Sequence, residues 1–185
     1  MLLTLTTWLS ADLSAEEIMV RYRDSGKKRY LNQLVDAYYD DLYHFLVSQS
    51  DQVLAQDISQ KTWLKVIEKK ALFKTSVSFK SWLFMIARRL LIDEFRSQNK
   101  LTQLDDVQLV CGQSQEVSGD DMLAVLDSAL NALNFYQREA FILQKEGFSV
   151  DEIAHITGCE FETIKSRLRY AKQNLRNMLK GYADE

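Results

Sequence analysis

The apolar residues of this chain recur three and four positions apart, and no stretch alternates apolar with polar as a half-buried strand would. The pattern predicts an all-α protein. Ser14 followed by Glu17 has the form of a capping box, opening a first helix that runs to about Asp24 and stops at Gly26. A second helix, from about Lys28 to Val47, carries Leu31, Leu34, Val35, Tyr38, Leu42, Phe45 and Leu46 on one stripe. A third starts after Ser50 or Asp51 and continues to about Leu72. Its apolar stripe reads Leu54, Ile58, Trp63, Leu64 and Ile67, which leaves Gln56, Asp57 and Gln60 facing out. A loop, Phe73 to Ser78, leads into the fourth.

That fourth helix, Phe79 to Arg96, is apolar nearly all round. Phe79, Trp82, Leu83, Ile86 and Leu90 form one face, Ala87, Leu91, Phe84 and Phe95 a second, and Met85 with Ile92 part of a third. A helix of this kind is buried by its neighbours. Lys80, Arg88, Arg89, Asp93, Glu94 and Arg96 interrupt it too often for a membrane span, which needs about 20 mostly apolar residues. The expectation is a central helix with others packed around it. Its remaining polar strip is mostly cationic, which suits one exposed edge turned to a polyanion.

From Ser97 to Ser118 the periodicity fails, and the segment is polar, acidic and carries Gly112. Loops of this length are uncommon inside a compact domain, so a flexible linker is expected over 99–118, between small helical domains at 1–98 and 119–185. The second half divides into four shorter helices. The first runs from about Gly119 to Leu133, with Leu123, Leu126, Leu130 and Leu133 inward. Asn134 with Gln137 caps the next, which ends at Gly147, and Ser149 with Glu152 caps a very short helix ended by Gly158. The last spans Phe161 to Lys180, with Ile164, Leu168, Ala171, Leu175 and Leu179 inward. A short helix, a tight glycine turn and a longer basic helix make a helix-turn-helix. There is no proline, and all six glycines, Gly181 included, fall at expected helix breaks.

Charge adds to this picture. The chain of 185 residues carries a formal net charge of −3, which argues against gripping DNA by bulk charge alone. The bases are nevertheless concentrated in two places, Lys61 to Lys100 and Thr163 to Lys180, and the second contains no acid. DNA binding is therefore expected to be local or shared with a partner. Cys111 and Cys159 form no CxxC pattern, and His44 and His155 lie far apart, so neither a disulfide framework nor a metal site is expected. The N-terminal MLLTLTTWLSA lacks a basic flank and is too short for a signal peptide, so a cytoplasmic protein is expected. No nucleophile elbow, phosphate loop or HExxH is present, and Ser166 has no histidine near it in sequence. Neither enzyme chemistry, a cofactor nor a small-molecule substrate is expected.

Two sets of residues carry a family resemblance. Trp82-Leu83-x-x-Ile86-Ala87-Arg88, then Asp93 and Arg96, resembles the promoter-melting helix of bacterial RNA polymerase sigma factors of the extracytoplasmic-function group, with Arg89 where that family usually has Asn. Ala55-x-Asp57-Ile58-x-Gln60-x-Thr62-Trp63-x-x-Val66 resembles the family's segment that docks on the polymerase β′ coiled coil, with Gln56 replacing a usual acid. Gly147-Phe148-Ser149, Glu152-Ile153-Ala154, Gly158-Cys159 and Thr163-Ile164-Lys165-Ser166-Arg167-Leu168 resemble its C-terminal domain. Taken singly, these stretches also fit a core helix, a solvated amphipathic face and the DNA-binding domain of a response regulator. Their occurrence together, in family order around a linker, favours the sigma factor over a regulator that never joins polymerase.

The resemblance implies a chain that binds core RNA polymerase and directs it to promoter DNA. Asp57, Gln60 and Trp63 would then dock on polymerase. Phe73, Lys74, Lys80, Trp82, Arg88, Arg89 and Arg96 would bind or melt the −10 element, with Phe73 free to be either a stacking platform or core. The helical wheel turns Glu162, Ser166, Arg169, Tyr170 and Gln173 to the base edges of the −35 element, and Thr163, Lys165, Lys172 and Arg176 to its flanks. Arg167 is expected to pair with an acid such as Glu152. An anti-sigma partner is implied, as is a linker threading the polymerase channel, with Asp105 and Asp106 mimicking nucleic acid.

Overall fold

The computed structural model describes residues 13–98 and 122–183, with side chains from Leu13 to Gln98 and from Val125 to Leu179. The helices are α1 (Ala15–Ser25), α2 (Lys28–Gln49), α3 (Gln52–Lys69), α4 (Phe79–Ser97), α5 (Met122–Asn131), α6 (Phe135–Lys145), α7 (Val150–Thr157) and α8 (Phe161–Ala183). No strand occurs among the described residues. Both Ser-x-x-Glu boxes form: Ser14 Oγ accepts the Glu17 N–H at 3.2 Å while Glu17 takes the Ser14 N–H at 3.0 Å, and Ser149 and Glu152 repeat the arrangement. Asp51 Oδ1 caps α3 through the Leu54 N–H at 2.9 Å, and Asn134 Oδ1 caps α6 through the Gln137 N–H at 2.9 Å. These caps satisfy amide donors that the first turn of a helix leaves unpaired.

Three expectations need correction. The third helix ends at Lys69, and its last turn tightens into a 3-10 turn at Lys70–Leu72. Gly181 breaks nothing, since α8 continues through it to Ala183. Leu126 is exposed, and the inward position of α5 falls to Ala129 instead. The linker expected at 99–118 lies outside the described residues.

The fold is organised by α4, whose Phe79, Leu83, Phe84, Ala87 and Leu91 are wholly buried. One side packs on α1, α2 and α3. There the Phe79 ring meets Tyr38 at 5.5 Å, Phe73 at 6.1 Å, Trp82 at 6.2 Å and Trp63 at 6.5 Å between centroids. The other side receives α7, while α6 lies on α2. The two halves expected to be separate domains thus touch, and one continuous core runs from Met19 through α4 to Leu168. A smaller cluster, Ala129, Leu133, Ala171 and Leu175, fastens α5 to α8.

Phe79 has no exposed surface and four aromatic neighbours. Phe79→Ala is expected to cost about 3 to 5 kcal/mol in urea unfolding followed by helicity. A loss below about 1 kcal/mol would mean that the aromatic cluster is not packed as described.

Candidate nucleic-acid and polymerase-binding surfaces

Gly158 adopts φ 68°, the left-handed conformation glycine tolerates, and the Cys159 N–H closes the end of α7 on the Ala154 carbonyl at 3.1 Å. That turn sets α8 across α7. Ile164, Leu168, Ala171 and Leu175 are buried, which rotates Glu162, Thr163, Lys165, Ser166, Arg169, Tyr170, Lys172, Gln173 and Arg176 outward, and all nine are exposed. Lys165 pairs with Glu162 at 3.0 Å, and the Arg169 guanidinium lies over the Tyr170 ring, 4.9 Å from its centroid. The surface is polar and cationic, and it has the length to lie in a major groove. Arg167 departs from expectation. Its Nη1 donates to Cys159 Sγ at 3.3 Å and its guanidinium covers the Tyr136 ring at 4.6 Å, while Glu152 is engaged elsewhere.

On α3 the periodicity predicts Leu64 and Ile67 inward, but both are exposed. With Val53, 78% exposed, and the exposed Asp57 and Gln60, they form one outward row: 53, 57, 60, 64, 67. The alternating steps of four and three are the spacing that lets one helix follow another. Asp57 Oδ2 holds Lys61 Nζ at 2.5 Å in a solvent-exposed pair. Trp63, expected on this surface, is instead only 8% exposed and packs inward on Phe79. Its burial follows from the helical angle it shares with Ser59, Thr62 and Val66, all buried.

The residues expected at the −10 element divide. Lys74, Arg89 and Arg96 are exposed, and Arg96 lies 3.8 Å from Asp93. Phe73 and Trp82 are core, 1% and 9% exposed, with ring centroids 5.3 Å apart, so neither offers a face to a base here. Lys80 and Arg88 belong to a row along α4 that meets the second half of the chain. Lys80 Nζ donates to Asp41 Oδ2 at 2.7 Å and to the Glu146 carbonyl at 2.8 Å, and it lies 3.7 Å from the Glu146 carboxylate. Phe84 meets Phe148 edge to face at 4.9 Å. Arg88 gives two hydrogen bonds to Glu139, Nε at 2.6 Å and Nη2 at 3.2 Å. Phe95 meets Phe135 at 5.8 Å. Glu139 is fully buried and the Arg88 side chain only 13% exposed, so removing either partner strands a charge, at a cost of about 3 to 5 kcal/mol.

One further carboxylate, that of Glu152, joins this junction. Burial pushes the Glu152 carboxyl up, but hydrogen bonds from the Ser149 backbone and hydroxyl and from Ser81 and Ser78 outweigh it and hold the group below its ordinary value. At the start of α4, burial of Glu16 is similarly outweighed, chiefly by the Phe79 N–H at 2.8 Å. Glu146 goes the other way, raised by burial and by the charge of Asp41 despite Lys80 and His44. Among the described residues no three His, Cys, Asp or Glu are grouped to hold a metal ion, and no helix is long and apolar enough to cross a membrane.

A buried aromatic-rich helix followed by a helix-turn-helix with an open polar face defines a two-part DNA-binding chain. Residues 34–101 match the family description Sigma-70 region 2, and residues 123–175 match Sigma-70, region 4. The chain is 31% identical over 132 residues to the ECF RNA polymerase sigma factor EcfG of Rhodopseudomonas palustris, covering 68% of this chain and 71% of that one. It is 29% identical to the probable RNA polymerase sigma-C factor of Mycobacterium bovis, covering 81% of this chain and 83% of that one. Among solved structures it resembles the sigma factor RpoE of Bartonella quintana, crystallised with the anti-sigma factor NepR. The TM-score is 0.66 at 32% identity, over 80% of this chain and 96% of that one. The protein belongs to the extracytoplasmic-function sigma factors, the subunits that direct RNA polymerase to promoters.

The carboxyl shifts give a signed pH dependence. Glu16 and Glu152 lie below the ordinary value of 4.5 in the fold, so their contribution is complete above it and is lost as pH falls through their folded values. Glu146, raised, contributes in the opposite sense, favouring the fold on the acid side. Urea midpoints measured against pH should therefore fall on acidification. Glu152→Gln should flatten that acid limb and Glu146→Gln steepen it; the reverse ranking would contradict these environments.

Proposed function

We propose that the chain works as two units, 1–98 and 119–185, joined by a linker at 99–118, in the cytoplasm and with no catalysis of its own. The first docks on the β′ coiled coil through the outer row of α3 and engages the −10 element through the cationic edge of α4. The second reads the −35 element through α8. An anti-sigma protein is the expected partner, as one is for the similar factor from Bartonella quintana. The observation that carries this reading is the order of open surfaces: a heptad-spaced row on α3 and, after the linker, a recognition helix with nine expected contact residues exposed.

The α3 row supports docking on a helical partner because Val53, Leu64 and Ile67 leave apolar surface in water that such a partner would cover. Asp57→Ala with Gln60→Ala, or Leu64→Ala alone, should weaken binding to core polymerase. Each should change stability by no more than about 0.5 kcal/mol, as exposed substitutions do. Unchanged affinity in a competition assay against the wild-type chain would remove this surface from the reading. The same assay, with run-off transcription, excludes a regulator that never joins polymerase, since such a protein binds DNA but not core enzyme.

On α8, Arg169 is placed to grip a guanine through two hydrogen bonds, a contact that gives about 1 to 3 kcal/mol of discrimination. Lys172, one shoulder away, is placed for a phosphate. In holoenzyme selections on a library randomised across the −35 element, Arg169→Ala should relax preference at one or two positions. Lys172→Ala should weaken all promoters alike and lower the salt slope by about one unit. Preference altered by the lysine and not by the arginine would mean that α8 lies differently in the groove.

A further inference from the structure

The loop from Phe73 to Ser78 is held at both ends by one helix, α1. At its start the Arg23 guanidinium donates from Nη1 to the Phe73 carbonyl at 3.2 Å, while its Nε is fixed by Asp24 Oδ1 at 2.8 Å. Where the loop passes into α4, Glu16 Oε1 accepts the Phe79 N–H at 2.8 Å. The Ser78 hydroxyl caps α4 through the Ser81 N–H, so the Phe79 amide is a first-turn donor that the local cap leaves to Glu16. An ionised carboxylate suits the positive end of a helix. Burial pushes the Glu16 carboxyl up, yet the Phe79 N–H above all holds it below its ordinary value. Glu16 and Arg23 stand two turns apart on one face of α1, which lies ahead of the region matched to the family at 34–101.

Between these anchors the loop is open. Lys74, Thr75 and Ser76 are exposed, and the Val77 N–H closes a turn on the Lys74 carbonyl at 3.3 Å. Thr75 borders a shallow cleft against Glu16, Glu17, Val20 and Arg21, so the tip lies along α1 as well. The buried rings of Phe73 and Phe79 fix where the loop begins and ends. The two α1 side chains fix the direction its backbone takes between them.

We propose that α1 is a positioning element for promoter opening, in which Glu16 and Arg23 hold the loop so that Lys74 and Thr75 are presented to the −10 element. The proposal rests on the reading that places Lys74 at that element. Glu16 and Arg23 act through the loop and need not touch DNA. A short loop pinned at both ends has little conformational entropy left to lose when a single strand binds. Unpinned, it holds the binding form only part of the time, and its apparent affinity falls by that fraction.

The test uses holoenzyme assembled from core polymerase and the full chain, in selections on a library randomised across the −10 element. Glu16→Ala with Arg23→Ala should weaken preference about tenfold, the loss expected of a loop correctly placed about a tenth of the time. It should do so at the positions that Lys74→Ala with Thr75→Ala also flattens, and leave −35 preference and affinity for core at wild-type values. Glu16→Gln keeps an oxygen for the Phe79 N–H and, in place of Glu16→Ala, should restore most of the preference. Ile58→Val, in the buried row of α3, controls for stability alone and should leave −10 preference unchanged. In the free chain, amide hydrogen exchange from Lys74 to Val77 should quicken in the double variant. Should that variant fold poorly, Arg23→Ala alone, at a side chain 32% exposed, is read the same way. Wild-type −10 preference in the α1 variants, when the Lys74 and Thr75 variant has lost it, would overturn the proposal. So would unchanged exchange, or an equal loss from Ile58→Val. Intact preference in the Lys74 and Thr75 variant would instead refute the reading of the loop itself, and the proposal with it.

Discussion

An α-helix apolar on nearly every face has to be enclosed, and the rest of this protein is arranged by that requirement. The helix α4 buries ten of its residues, from Phe79 to Phe95, and it needs cover on more than one side. The helices α1, α2 and α3 of the first half supply one side. The helix-turn-helix supplies the other, with α7 laid against it and the side chains of α6 reaching its charged edge. Because an unpaired charge in such a place is costly, Arg88 and Glu139 come as a bidentate pair rather than singly.

A consequence for function follows from the same geometry. On α4 the cations divide: Lys80 and Arg88 contact the second half, while Arg89 and Arg96 are exposed. The surfaces on α3 and α8 show no such division, because their inner rows are covered by their own halves and their outer rows point to solvent. Sigma factors must bind polymerase and two promoter elements in one complex.

Most of the fold was legible in the sequence because local signals agreed with one another. Capping boxes at Ser14 and Ser149, the glycine turn at Gly158 and the stripe on α8 each carry their own physical reason, and the structure forms all of them. What was not legible was any choice decided by a neighbour distant in sequence. Leu64 and Ile67 read as core by hydrophobicity, yet the inner side of α3 was already filled by Ile58, Thr62, Trp63 and Val66. Trp63 and Trp82 read as contact residues by motif and Phe73 was open to either role, yet all three converge on Phe79. Glu139 carried no sequence signal at all, since a single glutamate on an amphipathic helix is ordinarily solvated. A helix too apolar for the first half alone to enclose was the one clue that the second half would join it.

The claim that the halves share one core around α4 is read most directly by following urea unfolding with two probes. All three tryptophans, Trp8, Trp63 and Trp82, lie in the first half, so their fluorescence reports that half alone, whereas helicity reports both. A shared core predicts that the two transitions superimpose in wild type, as in a two-state unit. It also predicts that Glu139→Ala, a substitution in the second half, moves the tryptophan transition to lower urea. Separate transitions, with the tryptophan curve indifferent to Glu139→Ala, would contradict a common core.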